Sequence, residues 1–118
     1  MNLPHQEPLI FAQEIRHQSN EKVEVLCDFK QLPTLAMFIE AGAQSSSAFN
    51  QEQNISMAFV TMVKNVQLLE AIQTERYLFK VTQKAVVDKY RQYDFEAYEE
   101  GCFVCIVKGS FTLVIEEK

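Results

Sequence analysis

At 118 residues and 13.6 kDa the chain has the length of one domain, 1–118, and its 47% hydrophobic content is enough for a proper core. A net charge of −5 with a pI near 5.0 argues against nucleic acid, which needs a basic face. No apolar run is long enough to span a bilayer, and Met1–Pro8 carries neither a basic n-region nor a continuous apolar h-region, so neither membrane nor secretory signal is expected.

Leu9 to Arg16 reads as a first strand. Glu21 to Phe29 reads as a second, with Val23, Leu26 and Phe29 apolar and Glu24 and Asp28 polar. The segment from Pro33 to Phe49 reads as a helix: Pro33 suits a first turn, where its missing N–H has no partner to lose, and Ser45-Ser46-Ser47 with Asn50 weaken and end it. This helix is apolar or small on nearly every side, and Glu40 is its only charge. A helix apolar all round is expected inside a protein. A carboxylate there needs a partner or a use.

β-structure is expected after residue 55. Met57 to Val63 is an apolar, β-prone run, and Leu68 to Ile72 is too short for periodicity to assign. Tyr77 to Val87 and Tyr93 to Tyr98 alternate. Glu99-Glu100-Gly101 reads as a hairpin turn, and Cys102 to Ile115 as a returning strand with Gly109 at a bulge or bend. The aromatics Phe38, Phe49, Phe59, Phe79 and Phe103 read as core. The pattern is α+β, a curved antiparallel sheet wrapped around one central buried helix.

Three cysteines, Cys27, Cys102 and Cys105, are an odd count that fits reduced thiols in a cytoplasmic protein better than a disulfide framework. Cys102 and Cys105 have CxxC spacing in a strand-like run that would point them to opposite faces. No second pair completes a metal site, so buried small hydrophobes is the expected role. His17, beside Arg16 and Gln18, reads as exposed and uninvolved.

Three stretches carry a resemblance. Leu3-Pro4-His5-Gln6-Glu7-Pro8-Leu9-Ile10-Phe11 is a Pro-His followed by a short apolar strand; Ile39-Glu40-Ala41-Gly42-Ala43-Gln44 is a helical acid followed by an Ala-Gln pair; and Ala58 to Val66 with Gly101 to Ile115 supplies the strands. In this order they resemble the hotdog-fold 3-hydroxyacyl-thioester dehydratases of fatty-acid-type synthesis. The lead into the helix, Asp28 to Pro33, lacks that family's His-Phe-Pro-Gly and Met-Pro-Gly segments, and its brevity is closer to the dehydratase-like proteins of aryl-polyene synthesis.

The resemblance implies a homodimer in which His5 of one subunit meets Glu40 of the other. His5 would take the C2 proton of a 3-hydroxyacyl thioester, and Glu40, kept protonated by burial, would give a proton to the leaving hydroxyl. It further implies a thioester carbonyl held at the helix N-terminus by Thr34, Leu35 and Ala36, an acyl tunnel along Phe11 and Phe38, and Gln44, one turn beyond Glu40 on the same face, hydrogen-bonding Glu40 or lining the site. No cofactor is implied. The carrier would be an acyl carrier protein or coenzyme A. An acidic carrier protein would need a basic patch, for which Lys80, Lys84, Lys89 and Arg91 are the candidates. A hotdog thioesterase, or a non-catalytic acyl-binding or partner subunit, is the alternative, since fold alone does not fix chemistry.

Overall fold

The computed structural model describes residues 11–46, 49 and 55–117. Their chain order is β1 (Ala12–Gln18), β2 (Lys22–Asp28), α1 (Leu35–Ser46), β3 (Ile55–Leu68), β4 (Arg76–Val87), β5 (Tyr90–Glu99) and β6 (Cys105–Glu117). The six strands form one sheet in the order β1-β2-β4-β5-β6-β3, antiparallel at every pairing. The helix packs on one face of it. β1 and β3 are the edges.

The strands follow from alternation. In β4, Tyr77, Phe79 and Val81 are buried beneath the helix, while Leu78, Lys80 and Thr82 between them face outward. In β5, Tyr93, Phe95 and Ala97 repeat the pattern against Asp94 and Glu96. Two of the hairpin turns use positive φ: Asp88 (56°) joins β4 to β5, and Gly101 (83°) follows β5.

The core is aromatic. Phe38 of α1 sits fully buried among Phe29, Tyr77 and Phe79, with ring centroids 5.2, 4.9 and 5.8 Å away. Phe11 extends this cluster through Phe29 at 4.8 Å. Pro33 precedes the helix and Thr34 caps it, its hydroxyl accepting the Met37 amide at 3.2 Å. Ser45 turns its hydroxyl back onto the Ala41 carbonyl at 2.8 Å, and Ser46 onto Ala43 at 2.6 Å. Serine thereby satisfies itself within the buried face of the last turn.

Four expectations change. The helix is not buried all round: Phe38, Ala41, Gly42, Ser45 and Ser46 face the sheet, while Leu35, Ala36 and Glu40 are exposed, because one chain supplies a sheet on only one side. β3 is one strand of 14 residues, longer than the apolar run Met57 to Val63, and residues 69–72 of the unassigned piece lie outside it. It bulges at Lys64-Asn65, with Asn65 at φ 57° and the register slipping between Lys64 and Gln67. Gly109 lies in regular pairing, and the bulge expected at it belongs to the facing strand. Cys102–Val104 is a connection rather than strand. Phe103 is 96% exposed there, Cys102 is exposed, and Phe59 on edge strand β3 is exposed too. Only Cys27 of the three thiols is buried, pushed up to about 12 by loss of water around it.

Gly109 is required by that bulge. A Cβ on it would lie 2.9 Å from Val66 Cγ2, 3.1 Å from Val66 Cα and 3.2 Å from the Phe95 ring. Backbone must move to admit a methyl, so Gly109→Ala is expected to cost about 1–3 kcal/mol, measured as a lower midpoint in urea. An unchanged midpoint would mean the bulge yields freely.

Candidate active site

Glu40 lies mid-helix on the face turned away from the sheet, one turn after Ala36 and one before Gln44. Gln44 spans two elements. Its Nε2 donates to Glu40 Oε2 at 3.2 Å, while its Oε1 accepts the backbone amides of Phe11 at 2.7 Å and Ala12 at 3.2 Å. One amide side chain therefore fixes the chain's entry into β1 beside the Glu40 carboxyl. A hydrogen bond to Glu40 is one of the two roles that the sequence offers Gln44. Its position one turn after the acid was a signal of contact with Glu40, but its hold on β1 depends on packing between elements distant in the chain.

His5 lies outside the described residues. Phe11 and Phe38 have their rings in the aromatic core, packed against Phe29 rather than along an open channel. Thr34 spends its hydroxyl as the helix cap. With the Met37 amide taken by that cap, the Leu35 and Ala36 amides are first-turn donors on exposed residues, without a side-chain acceptor among the described residues. That end of the helix carries no acid in its first turn.

β3 is the open edge at the far side of the sheet from β1. Val60 and Val63 pair with Leu113 and Phe111, which face the helix side, yet remain 38% and 40% exposed. β3 thus carries an apolar shelf on the helix side of the sheet, along an unpaired strand edge. Of the basic residues singled out in sequence, Lys80 and Lys84 line one groove on the opposite sheet face. The Arg91 guanidinium is tied to the Asp88 and Tyr90 carbonyls at 2.7 and 3.2 Å, and Lys89 sits in that hairpin turn. His17 is exposed on β1, opposite Glu24.

Replacing Gln44 with Ala removes the acceptor for two amides, one of them on a buried residue. The expected loss is about 1–3 kcal/mol, together with faster hydrogen exchange at Phe11 and Ala12 and little change at the centre of β4. Exchange unaltered at those two amides would show that the clamp does not hold the segment.

No family model and no curated protein matches the chain. Solved structures do. A chain of the dehydratase heterocomplex ApeI:P from Xenorhabdus doucetiae superimposes with a TM-score of 0.76 at 14% identity, covering 98% of this chain and 89% of that one. A thioesterase family protein from Silicibacter pomeroyi gives 0.73 at 15%, covering 98% and 91%. A hypothetical thioesterase from Streptococcus pneumoniae, solved with coenzyme A, gives 0.67 at 14%, covering 89% and 86%. Among the described residues no helix is long and apolar enough to cross a membrane. A six-stranded antiparallel sheet carrying one helix, shared with these neighbours over most of the chain, is the hotdog fold, and this chain has it.

Proposed function

We propose that the protein is a 3-hydroxyacyl-thioester dehydratase, working equally as a hydratase in reverse, with His5 as base and Glu40 as acid. The observation that carries this is the Gln44 clamp: it brings the segment that follows Pro4-His5 to the side of the one helical acid. His5 is six residues before Phe11, a reach of up to about 20 Å when extended, enough to arrive at Glu40 of its own or a neighbouring chain.

The chemistry needs both groups. The His5 imidazole removes the C2 proton, the Glu40 carboxyl protonates the departing 3-hydroxyl, and water leaves with formation of the C2–C3 double bond. The Leu35 and Ala36 amides would take the thioester carbonyl as negative charge builds there. Phe11 and Phe38, being core, are given no acyl contact.

The site is completed by a second copy. A 14-residue edge strand with exposed Phe59, Val60, Met62 and Val63, and one Lys in that stretch, is a pairing surface that a soluble monomer would have to protect. Pairing β3 with β3 around a two-fold axis extends the sheet, covers the apolar shelf, and encloses the Glu40 face of each helix. A different hotdog chain in the same place is the second arrangement, favoured by the likeness to a chain of a heterocomplex. The likeness to thioesterases supports hydrolysis at this site as a second chemistry.

The test follows loss of the conjugated enoyl absorbance and release of free thiol together, on short and medium enoyl thioesters of coenzyme A and of acyl carrier protein. Enoyl loss without thiol is expected. Thiol release would move the protein to hydrolysis, and silence on every substrate by a folded dimer would favour the non-catalytic partner subunit.

A further inference from the structure

The face of the sheet away from the helix carries a groove of about 460 Å³ that the thioester reading does not use. Its floor is built from cross-strand rows. Lys80 of β4 stands opposite Glu96 of β5, and Glu96 opposite Lys108 of β6. In the next row Asp94 stands opposite Ser110, and Ser110 opposite Lys64 of β3. Its wall on one side is the β3 bulge, which brings Asn65 and Gln67 to the rim. Lys64 lines an adjoining hollow that shares Asn65, Lys84, Asp94 and Ser110 with the groove.

Alternating charge is ordinary on the solvated face of a sheet, where acids and lysines pair across strands. This face departs from that pattern. Glu96 accepts its hydrogen bond from the neutral Tyr98 hydroxyl at 3.0 Å. Asp94 accepts one from the neutral Ser110 hydroxyl at 2.7 Å, and its lysine neighbour, Lys84, is farther off at 3.8 Å. The acids are thus held by neighbours on the sheet. Lys80 instead rests its ammonium over the Tyr98 ring, 4.7 Å from the centroid, while Lys64 and Lys108 form no ion pair among the described residues.

Four lysines against two carboxylates leave a local surplus of two positive charges in a chain whose net charge is −5. The Asn65 and Gln67 amides and the Thr82 hydroxyl stand beside these ammonium groups. Charge and donors together match an oxyanion of about two negative charges with several acceptor oxygens, which is a phosphate ester. We propose that the groove binds the phosphate of a small phosphorylated molecule. The site is separate from Glu40, with the sheet between them, and stands whether or not the thioester reading does.

Titration calorimetry at low ionic strength with inorganic phosphate, pyrophosphate and adenosine monophosphate tests it. Saturable one-to-one binding of at least one is expected. The paired change Lys80→Gln with Lys108→Gln should weaken it at least tenfold, and Glu96→Gln should tighten it by removing a like charge. Lys89→Gln, outside the groove, should leave it unchanged. Pyrophosphate as the best ligand would point to a diphosphate, and adenosine monophosphate to a nucleotide. Absence of binding to all three, equal binding of sulfate, or affinity indifferent to the lysine pair in a protein with native circular dichroism would each overturn the proposal.

Discussion

Glu40→Gln is expected to lower turnover of enoyl and 3-hydroxyacyl thioesters by about 10²–10⁴-fold while leaving the thermal midpoint in place. The two parts have separate physical reasons. Glutamine keeps the shape of the side chain and can still face Gln44, but it has no proton to give to a departing hydroxyl. The carboxyl lies on an exposed face in the single chain, and its hydrogen bond from Gln44 is exposed as well. Surface changes of this kind move stability by roughly half a kcal/mol or less. A structural acid would behave in the opposite way, with a lower midpoint and activity retained, so kcat and the midpoint measured on one preparation separate the roles.

Phe38→Ala is expected to be the most damaging single change to the fold. The ring is fully buried, and three other aromatic rings lie within 6 Å of its centroid. Truncation removes the apolar contact and leaves a hole that neighbouring rings, fixed on β4 and at the end of β2, fill poorly. A cost of about 3–5 kcal/mol is usual for such a change. Against a total stability of about 5–15 kcal/mol, this lowers the midpoint by something on the order of 15 °C. Scanning calorimetry reads it directly. A fall of only a few degrees would mean that the cluster closes over the gap and that the helix is held chiefly elsewhere. Phe38→Leu, which keeps most of the volume, should recover much of the loss.

The strands were legible wherever one face meets the helix and the other meets water, because burial on one side enforces a period of two. Tyr77 to Val87 and Tyr93 to Tyr98 were placed to within a few residues on that basis. Legibility failed where another determinant acted. Lys64-Asn65 interrupts the apolar run of β3, so alternation marked Met57 to Val63 but neither the bulge nor the strand's end at Leu68. Cys102-Phe103-Val104 has the composition of a strand but is a connection, exposing an aromatic ring that composition alone would bury.

The helix is the more instructive case. Its apolar character on all sides, read as burial, is half accounted for by the sheet. Leu35 and Ala36 remain uncovered, as do Val60 and Val63 on the helix side of β3. Under the proposed pairing of two copies this surplus of apolar surface would be covered, which one sequence read as one chain does not display. For the site, the acid and its amide neighbour were readable from helical spacing. The Gln44 clamp on Phe11 and Ala12 joins residues more than thirty positions apart and was not. The four lysines of the outer groove and its adjoining hollow come from three strands, and only Lys80 and Lys84 stood out along the chain.

The central claim is a shared site, His5 from one subunit and Glu40 from the other, and subunit mixing tests it most directly. His5→Ala and Glu40→Gln would each be purified as inactive dimers, then unfolded together, refolded and assayed for enoyl thioester hydration. Random reassembly makes half the dimers mixed, and each mixed dimer holds one intact site, so activity of about a quarter of the wild-type level is expected. Recovery of none, from mixed dimers shown to have formed, would contradict the account, because a site contained within one chain cannot be repaired by a partner.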